Sequence, residues 1–358
     1  MRLKTLAARD FRNLELVQLD TDSRFVMFHG PNAQGKTNLL EAVYALATLK
    51  SFRARRNQEL VRWGADCAEV LGKVDDGTQI RDFRLLIDGK GRRGEVDGKP
   101  PAQLARYFEG IRAVLFRPED IGIVRNGPER RRRFVDRAAF TAASTFLELA
   151  QTFRRLLSQK AALLRQARVD PLQLSVFDEQ LARAGARIVE RRLRIVEELR
   201  KPFATLHERI SGLGEASLSY RTALDRERLA ESYLELMEHH RADEIRRGMN
   251  LVGPQRDDLV VKLDGRPARP YASQGQTRSL VLALKLGELL AARSRGARPI
   301  FLLDDLSSEL DRFRTGRLVE LLEDLDLQVV VTTTDPSVLH GASEVRAFEV
   351  GAGEVSSR

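Results

Sequence analysis

The chain has 358 residues, a formal net charge of +9 at pH 7 and a pI near 9.9, a balance that makes polyanions such as nucleic acids the first partners to consider. Its hydrophobic share of 42% supports a sizeable core, and its single cysteine, Cys67, excludes an internal disulfide and is expected to be a small buried residue. No apolar run approaches the roughly 18–20 residues of a membrane span, and the N-terminus lacks a signal-peptide apolar region, so we expect a cytoplasmic protein without a membrane segment.

The first 50 residues contain a candidate phosphate-binding loop. The apolar run 25–28 predicts a buried strand, and apolar residues at helical spacing from Leu39 onward predict a helix. Between them Gly30 and Gly35 let the backbone curl around an anion at the positive helix end, with Lys36 reaching phosphates and Thr37 binding Mg²⁺. The residues expected to bind the nucleotide are Gly30, Pro31, Asn32, Ala33, Gln34, Gly35, Lys36 and Thr37.

Residues 51–117 consist of short β-like segments that are separated by glycine-containing turns. Such hairpin signals predict an antiparallel sheet beside the nucleotide-binding sheet. The arginines at this end of the chain have open roles. Arg12 either contacts bound nucleotide or lies in a solvated turn, and Arg53, Arg55 and Arg56 either face DNA or belong to a solvated loop.

A helical region with an excess of basic residues follows. The four arginines 130–133 point in all directions around a helix, so they cannot all face one partner, and we expect one or two to pair with Glu129 or Asp136. Apolar residues at helical spacing predict two long helices, separated at Pro171, the second ending at Pro202. The basic face of these helices is either a solvated surface or a DNA-facing arm.

Two further motifs lie near the C-terminus. The buried strand 300–303 ends in Asp304 and Asp305, where the first acid is placed to hold Mg²⁺ and the second to orient or deprotonate a water. A plain helix cap at Asp305 explains one acid but not both. The stretch 273–276, read alone, is an ordinary helix start at Ser273. The run 329–335 predicts another core strand of a parallel sheet whose carboxyl ends gather these groups.

Taken together, these motifs resemble the head of an ABC-type ATPase with an SMC-like insertion, and the resemblance to the RecF family of bacterial DNA replication and repair proteins runs nearly end to end. It rests on the phosphate loop, on the motifs 253–258 and 271–276, and on the strand that ends in Asp304 and Asp305. The resemblance implies an α/β fold: a P-loop head with a mixed sheet, an antiparallel β subdomain and an inserted helical arm. The expected boundaries are 1–126 and 251–358 for the head and 127–250 for the arm.

The resemblance also implies roles for individual residues. Lys36 and Asp305 would act in catalysis, with Asp305 in place of the usual glutamate, and Thr37 and Asp304 would bind Mg²⁺. The signature motif that would act on the partner's nucleotide consists of Ser273, Gln274, Gly275 and Gln276. The loop that would cross the dimer interface contains Ser308 and Asp311. Two departures are evident: Thr334-Asp335 stands where many such heads carry a histidine, and no Q-loop glutamine is evident near 118–120.

The implied protein is a slow, DNA-stimulated ATPase that works as a clamp and uses hydrolysis as a switch. Its ATP-bound homodimer would bind gapped DNA at junctions between single and double strands, and would work with RecO and RecR to load the RecA recombinase in repair and replication restart. Two alternatives remain: the ATPase subunit of an ABC transporter, and a P-loop kinase of small molecules. The transporter leaves the basic insertion unexplained, and the kinase leaves the signature motif unexplained.

Overall fold

The computed structural model describes residues 1–309 and 312–357. The strands are β1 (Arg2–Phe11), β2 (Leu14–Asp20), β3 (Phe25–His29), β4 (Cys67–Asp75), β5 (Ile80–Asp88), β6 (Gly91–Val96), β7 (Ala113–Phe116), β8 (Ala216–Arg221), β9 (Asp258–Leu263), β10 (Arg266–Pro267), β11 (Ile300–Leu303), β12 (Val329–Thr333), β13 (Val345–Gly351) and β14 (Glu354–Ser357). The helices are α1 (Lys36–Thr48), α2 (Leu104–Gly110), α3 (Gly122–Arg125), α4 (Pro128–Ala142), α5 (Phe146–Leu163), α6 (Pro171–Ser211), α7 (Leu229–Arg247), α8 (Ala268–Tyr271), α9 (Gln274–Arg293), α10 (Leu306–Glu309) and α11 (Arg312–Asp324).

A mixed sheet in the order β14-β13-β3-β12-β11-β7 forms the centre of the fold. The neighbours from β13 to β7 are parallel, and only β14 at the edge pairs antiparallel. Strands β3, β7, β11 and β12 are buried throughout, as continuous apolar runs in a parallel sheet require. The phosphate loop, Asp304 and Thr332 therefore meet at the carboxyl end of the sheet.

The two faces of this sheet support separate hydrophobic cores. Phe25, Phe301 and Leu303 point into a core that contains α9 and the long helices of the middle region. Their strand neighbours Val26 and Leu302 point into a second core, which contains α1 and the antiparallel sheet. Because side chains alternate along a strand, this division places α1 and α9 on opposite faces of the central sheet.

The antiparallel sheet expected from the glycine-separated segments is confirmed, with the strand order β2-β1-β4-β5-β6. The turn between β4 and β5 is built around Asp76, whose carboxylate accepts from the backbone N–H groups of Thr78 and Gln79 at 2.8 and 3.0 Å. One expectation is wrong: Cys67, at the start of β4, is exposed. It begins an alternating strand in which Ala68 is the residue that points inward.

The long helix α6 also differs from expectation, because Pro202 lies inside it and does not end it. A proline inside a helix removes one hydrogen bond and costs about 3 kcal/mol. Leu199 and Phe203 are fully buried on either side of it and Leu206 is buried one turn later, and each contributes about 1.5–3 kcal/mol of burial. Packing of this apolar stripe therefore offsets the cost.

The helical region is joined closely to the rest of the molecule. Helix α4 begins at Pro128 and α7 ends at Arg247, close to the expected arm boundaries. However, strand β8 lies within the expected arm and pairs antiparallel with β9, which lies in the expected C-terminal part of the head. Helices α4 and α6 also share a core with α9. The division at 126 and 250 therefore stays a prediction.

Several arginines of this region are used inside the protein. Arg131 donates to both carboxylate oxygens of Asp258 at 2.7 and 2.9 Å, in a buried pair. Arg133 pairs with Glu129, which confirms that acid as a partner of the arginine run. Asp136 serves a different residue and accepts from Arg192 at 2.7 and 3.0 Å. Arg131 and Arg192 are therefore not available to a partner, although the net charge is unchanged because each pair uses one acid.

A buried ionic cluster joins α5, α6 and α7. The Lys160 side chain is only 1% exposed, and its Nζ lies 2.7 Å from Asp178 and 2.6 Å from Glu244. Arg241 adds a second cation to Asp178 at 3.0 Å. A charge buried this deeply is tolerated because opposite charges surround it, so removal of one member leaves the others uncompensated.

Replacing Lys160 with Met is expected to lower the free energy of unfolding by about 3–5 kcal/mol, because Glu244 loses its cation while it remains buried. Urea denaturation followed by circular dichroism measures this loss. Arg155→Met, on the exposed side of the same helix, is the control and should change stability by less than about 0.5 kcal/mol. Equal stability of Lys160→Met and the control would contradict a compensated buried cluster.

Candidate nucleotide-binding and catalytic site

The phosphate loop has the backbone that its glycines predict. Gly30 has φ of 138°, and a Cβ there would lie 2.5 Å from the carbonyl oxygen of Val350. Gly35 has φ of 118°, and a Cβ there would lie 3.1 Å from the Asn13 side chain. Both positions are in conformations that only glycine adopts readily. The loop is therefore held in a curled form by neighbours from two other parts of the chain.

Lys36 is at the first position of α1 and is 8% exposed. Its Nζ is folded over the loop and donates to the carbonyl oxygens of Gly30 and Pro31 at 2.7 and 2.6 Å. Burial lowers the pKa of Lys36, while the charges of Asp305 and Asp304 raise it. The ammonium group thus lies where an anion held by the loop would stabilise its charge.

Thr37, Asp304 and Thr332 form a compact oxygen cluster. One carboxylate oxygen of Asp304 accepts from the Thr37 hydroxyl at 3.0 Å and from the Thr332 hydroxyl at 2.8 Å. Burial raises the pKa of Asp304, and these two hydrogen bonds oppose that rise. A threonine hydroxyl beside a carboxylate is the oxygen set that Mg²⁺ prefers together with water and phosphate. The residues present therefore fit the predicted ion.

Asp305 follows β11 with φ of 53°, in the left-handed region. Its backbone N–H donates to the Thr332 hydroxyl at 2.8 Å, which fixes the turn next to Asp304. The Thr334 hydroxyl, at the position where the resemblance implies a histidine, lies 3.1 Å from the Ser307 hydroxyl. Asp335 accepts from the N–H of Ser337 and caps a short turn. Hydroxyl groups thus surround this end of the site.

The sequence did not reveal the arginine cluster that supports the loop. Glu41 on α1 is fully buried and accepts from Arg12 at 2.9 and 3.0 Å and from Arg53 at 2.9 Å. Burial raises the pKa of Glu41, and the hydrogen bonds from Arg12 and Ser51 with the charge of Arg53 outweigh that effect and lower it. Arg12 and Arg53 therefore hold α1 in position. The acid in the middle of an otherwise apolar helix was the one available signal.

Asn13 is a second residue that was missed. Its side chain donates to the carbonyl oxygen of Gln34 at 3.3 Å and accepts from Asn38 at 2.6 Å. From the other side, the N–H of Ala352 donates to the side-chain oxygen of Gln34 at 2.6 Å, and that of Gly353 to its backbone carbonyl at 3.0 Å. The β1–β2 turn and the β13–β14 turn thus clamp the phosphate loop.

The signature stretch begins α9 with a capping box. The Ser273 hydroxyl accepts from the N–H of Gln276 at 3.2 Å, and the Gln276 side chain accepts from the N–H of Ser273 at 2.8 Å. Arg125 fixes the segment before it by donating to the carbonyl oxygen of Ala272 at 2.8 Å. Ser273 and Gln274 remain exposed beside Gly275, so the N-terminal end of α9 presents a polar surface to solvent.

The acid that follows β7 is bound to α9. Asp120 is buried, and its carboxylate lies 3.0 Å from Nζ of Lys285, a fully buried lysine. Burial and the charge of Arg137 lower the pKa of Lys285 to about 8. Burial raises the pKa of Asp120, but the charges of Lys285 and Arg137 outweigh it and lower that pKa. Asp120 therefore connects the catalytic end of the sheet to the signature helix.

The loop that is predicted to cross the dimer interface contains Ser308 and Asp311. The side chain of Ser308 and the whole of Asp311 lie outside the described residues. In the part of the chain that the structure covers, no helix is long and apolar enough to cross a membrane.

Comparisons with known proteins extend over the whole chain. The family model for the RecF/RecN/SMC N-terminal domain matches residues 2–356. A DNA replication and repair protein RecF from Geobacter sulfurreducens is 41% identical over 365 aligned residues, which cover 99% of this chain and 100% of that protein. The RecF of Anaeromyxobacter sp. is 43% identical, with 99% of each chain covered.

Solved structures agree with the family model. A structure of the recombination mediator protein RecF–ATP in the RecFOR pathway matches with a TM-score of 0.90 at 28% identity, covering 100% of this chain and 97% of that one. An SMC head bound to a domain of ScpA matches with a TM-score of 0.61 at 15% identity, covering 100% and 98%, and supports the fold alone. The expected ATPase head with a mixed sheet, an antiparallel sheet and inserted helices is confirmed.

Proposed function

The chain belongs to the RecF family of DNA replication and repair proteins, and we propose that it is an ATP-dependent DNA-binding clamp. One observation carries the proposal: the phosphate loop and the signature stretch begin helices that pack on opposite faces of the central sheet. One head therefore holds a nucleotide with α1 and offers the start of α9 to a second head. A complete ATP site requires two copies of the chain.

Within one head, the loop 30–37 binds the phosphates of ATP, and Lys36 exchanges its contacts with loop carbonyls for phosphate oxygens. Thr37 and Asp304 would hold Mg²⁺, which would supply positive charge that offsets the negative charge of the phosphates. Asp305 orients the attacking water and accepts its proton. The oxygen cluster of Thr37, Asp304 and Thr332 and the neighbouring charges of Lys36 and Asp305 support these roles.

Across the dimer, the exposed Ser273 and the partly exposed Gly275 and Gln276 contact the γ-phosphate that the partner's phosphate loop holds. The positive N-terminal end of α9 favours that anion. ATP then links two heads, and hydrolysis removes the link and opens the dimer. Slow turnover stimulated by DNA suits such a switch.

We further propose gapped DNA with junctions between single and double strands as the substrate, RecO and RecR as partners, and loading of RecA as the outcome. The RecF–ATP structure in the RecFOR pathway and the positive net charge of this chain support this proposal. Family membership favours the clamp over a transporter subunit and over a small-molecule kinase. DNA stimulation without phosphate transfer to a metabolite would distinguish it from both.

ATP hydrolysis measured against protein concentration, with and without gapped DNA, tests the proposal. A rate per molecule that rises with concentration, and rises at lower concentration when DNA is present, is expected for a site shared by two heads. A constant rate that ignores DNA would mean a complete site within one chain, and the clamp would be rejected.

Replacing Ser273 with Arg is expected to leave ATP binding by the monomer intact and to abolish ATP-dependent dimers, because a long cation would fill the space for the partner's γ-phosphate. Analytical ultracentrifugation with ATP measures the dimer, and a fluorescent ATP analogue measures binding. Ser158→Arg, on an exposed part of α5, introduces the same group elsewhere and should still dimerise. ATP-driven dimers of Ser273→Arg would contradict the shared site.

A further inference from the structure

A cleft of about 580 Å³ lies away from the phosphate loop, between the C-terminal end of α1 and helices α2, α4 and α5. Its volume is in the range of sites that hold one small ligand, and it is too small for a DNA duplex to enter. Tyr44 and Lys50 line it from α1 and the turn that follows, Phe140 and Thr141 from α4, and Arg154 from α5. The cleft is thus built where the head meets the helical region.

The cleft has positive charges that the protein itself does not neutralise. In the described part of the chain, the side chains of Lys50 and Arg154 have neither a carboxylate partner nor a hydrogen bond. Partial burial and the positive charges of Arg154 and Arg92 lower the pKa of Lys50. Asp136 is the acid in the described lining, and both of its oxygens already accept from Arg192. Because this acid is already paired, the neighbouring charges of Lys50 and Arg154 favour an anionic ligand.

The inner wall of the same cleft is apolar. Phe108 and Phe140 pack edge to face with their ring centroids 5.1 Å apart, and Leu147 lies beside them. A ligand that satisfies both parts carries a phosphate at one end and a flat, weakly polar group at the other. A nucleotide has this composition, and bases pack readily on aromatic and apolar side chains.

We propose that this cleft binds one unpaired nucleotide of a DNA strand, with its phosphate between Lys50 and Arg154 and its base on the apolar wall. This inference rests on the proposed function as a DNA clamp and identifies where a single strand is recognised. A base that is still paired cannot enter, because a cleft of about 580 Å³ has no room for the second strand. The site therefore gives preference to gapped DNA and junctions over blunt duplex.

The residues that line the cleft belong to, or contact, the helices that follow the phosphate loop and the signature stretch, α1 and α9. Tyr44 is on α1, packs edge to face on Phe52, and Phe52 in turn lies under Arg53 and Arg117. Thr141 donates to Glu288 on α9 at 2.8 Å. A nucleotide in the cleft touches the phosphate-loop helix α1 itself and α4, which contacts the signature helix α9, so occupancy is positioned to stimulate hydrolysis.

The test compares the double variant Lys50→Ala/Arg154→Ala with the control Lys201→Ala/Arg155→Ala, which removes the same charges from exposed helical sites. With ATP bound, the first variant should lose about tenfold in affinity for gapped DNA and less than about twofold for blunt duplex of equal length, because the cleft contacts only unpaired nucleotides. Its hydrolysis without DNA should equal that of the unmodified chain, and its stimulation by gapped DNA should disappear. The control should keep the preference for gapped DNA.

Three other results would overturn the inference. Equal losses for gapped and duplex DNA would mean a general charge effect, and an unchanged preference would mean that single strands bind elsewhere. If thymidine 5′-monophosphate binds the unmodified chain but not the variant, while both prefer gapped DNA equally, the cleft holds a free nucleotide. Failure of the unmodified chain to bind any DNA would instead reject the clamp itself.

A cross-link supplies a measurement that needs no variant. DNA with 5-iodouracil at one unpaired gap position should cross-link to peptides of α2, α4 or α5 that line the cleft. DNA with the same base in the duplex part should not. Cross-links from the gap position that map only to other surfaces would remove the cleft from strand recognition.

Discussion

Asp305→Asn is expected to bind ATP, to dimerise and then to stall, with turnover reduced by about 10²–10⁴-fold, the usual contribution of a general base. The amide keeps the shape of the side chain but cannot accept a proton from water. The backbone should be unaffected, because Asn tolerates the left-handed conformation that Asp305 adopts at φ of 53°. Single-turnover hydrolysis measures the rate, and gel filtration with ATP measures the dimer.

Asp326→Asn is the matched control for this variant. Asp326 is also left-handed, with φ of 43°, and is exposed in the loop before β12. The same chemical change on the same kind of backbone should leave turnover at the level of the unmodified chain. Normal turnover in Asp305→Asn would remove Asp305 from catalysis and leave Asp304 and the hydroxyls around it as the remaining candidates.

Lys36→Met is expected to abolish nucleotide binding, because it removes the cation that the loop presents to the phosphates. Charge-assisted hydrogen bonds contribute about 1.5–3 kcal/mol each, so the loss of two raises Kd at least about a hundredfold. Calorimetric titration with ATP measures the affinity. Tight binding of ATP by this variant would reject the phosphate-loop assignment.

Folding should not explain the loss. Burial lowers the pKa of Lys36, which means that the folded protein pays a desolvation cost for this charge. Met removes this cost together with the two hydrogen bonds to the loop carbonyls, so the variant should unfold at a urea concentration close to that of the unmodified chain. Lys90→Met, in the exposed turn between β5 and β6, is the control and should bind ATP normally.

Much of the site could be predicted because its signals are local. The phosphate loop is predicted by Gly30 and Gly35, which lie between an apolar strand and an amphipathic helix. The end of β11 is predicted by four apolar residues that are followed by Asp304 and Asp305. The pairing of Thr37 with Asp304 at 3.0 Å joins residues 267 positions apart. It could be expected only because parallel strands end at one edge of a sheet.

Other contacts have no local signal. From the sequence, Arg12 could contact nucleotide or lie in a solvated turn, and Arg53 could face DNA or lie in a solvated loop. In the structure both arginines bind the buried Glu41. Pro202 was expected to end a helix, and burial of the residues around it outweighs that local preference. Propensities act over a few residues, and packing against distant elements decides between them.

Residue types and their spacing predicted the groups of the candidate site, which are a phosphate loop, a pair of acids at a strand end and a signature stretch, and they predicted a helical insertion. It is the packing of the folded chain that places α1 and α9 on opposite faces of the central sheet and forms a basic cleft between the end of α1 and the helices α2, α4 and α5. Residue spacing specifies which side of a strand is buried, but strand order and helix packing depend on contacts between residues far apart in the chain.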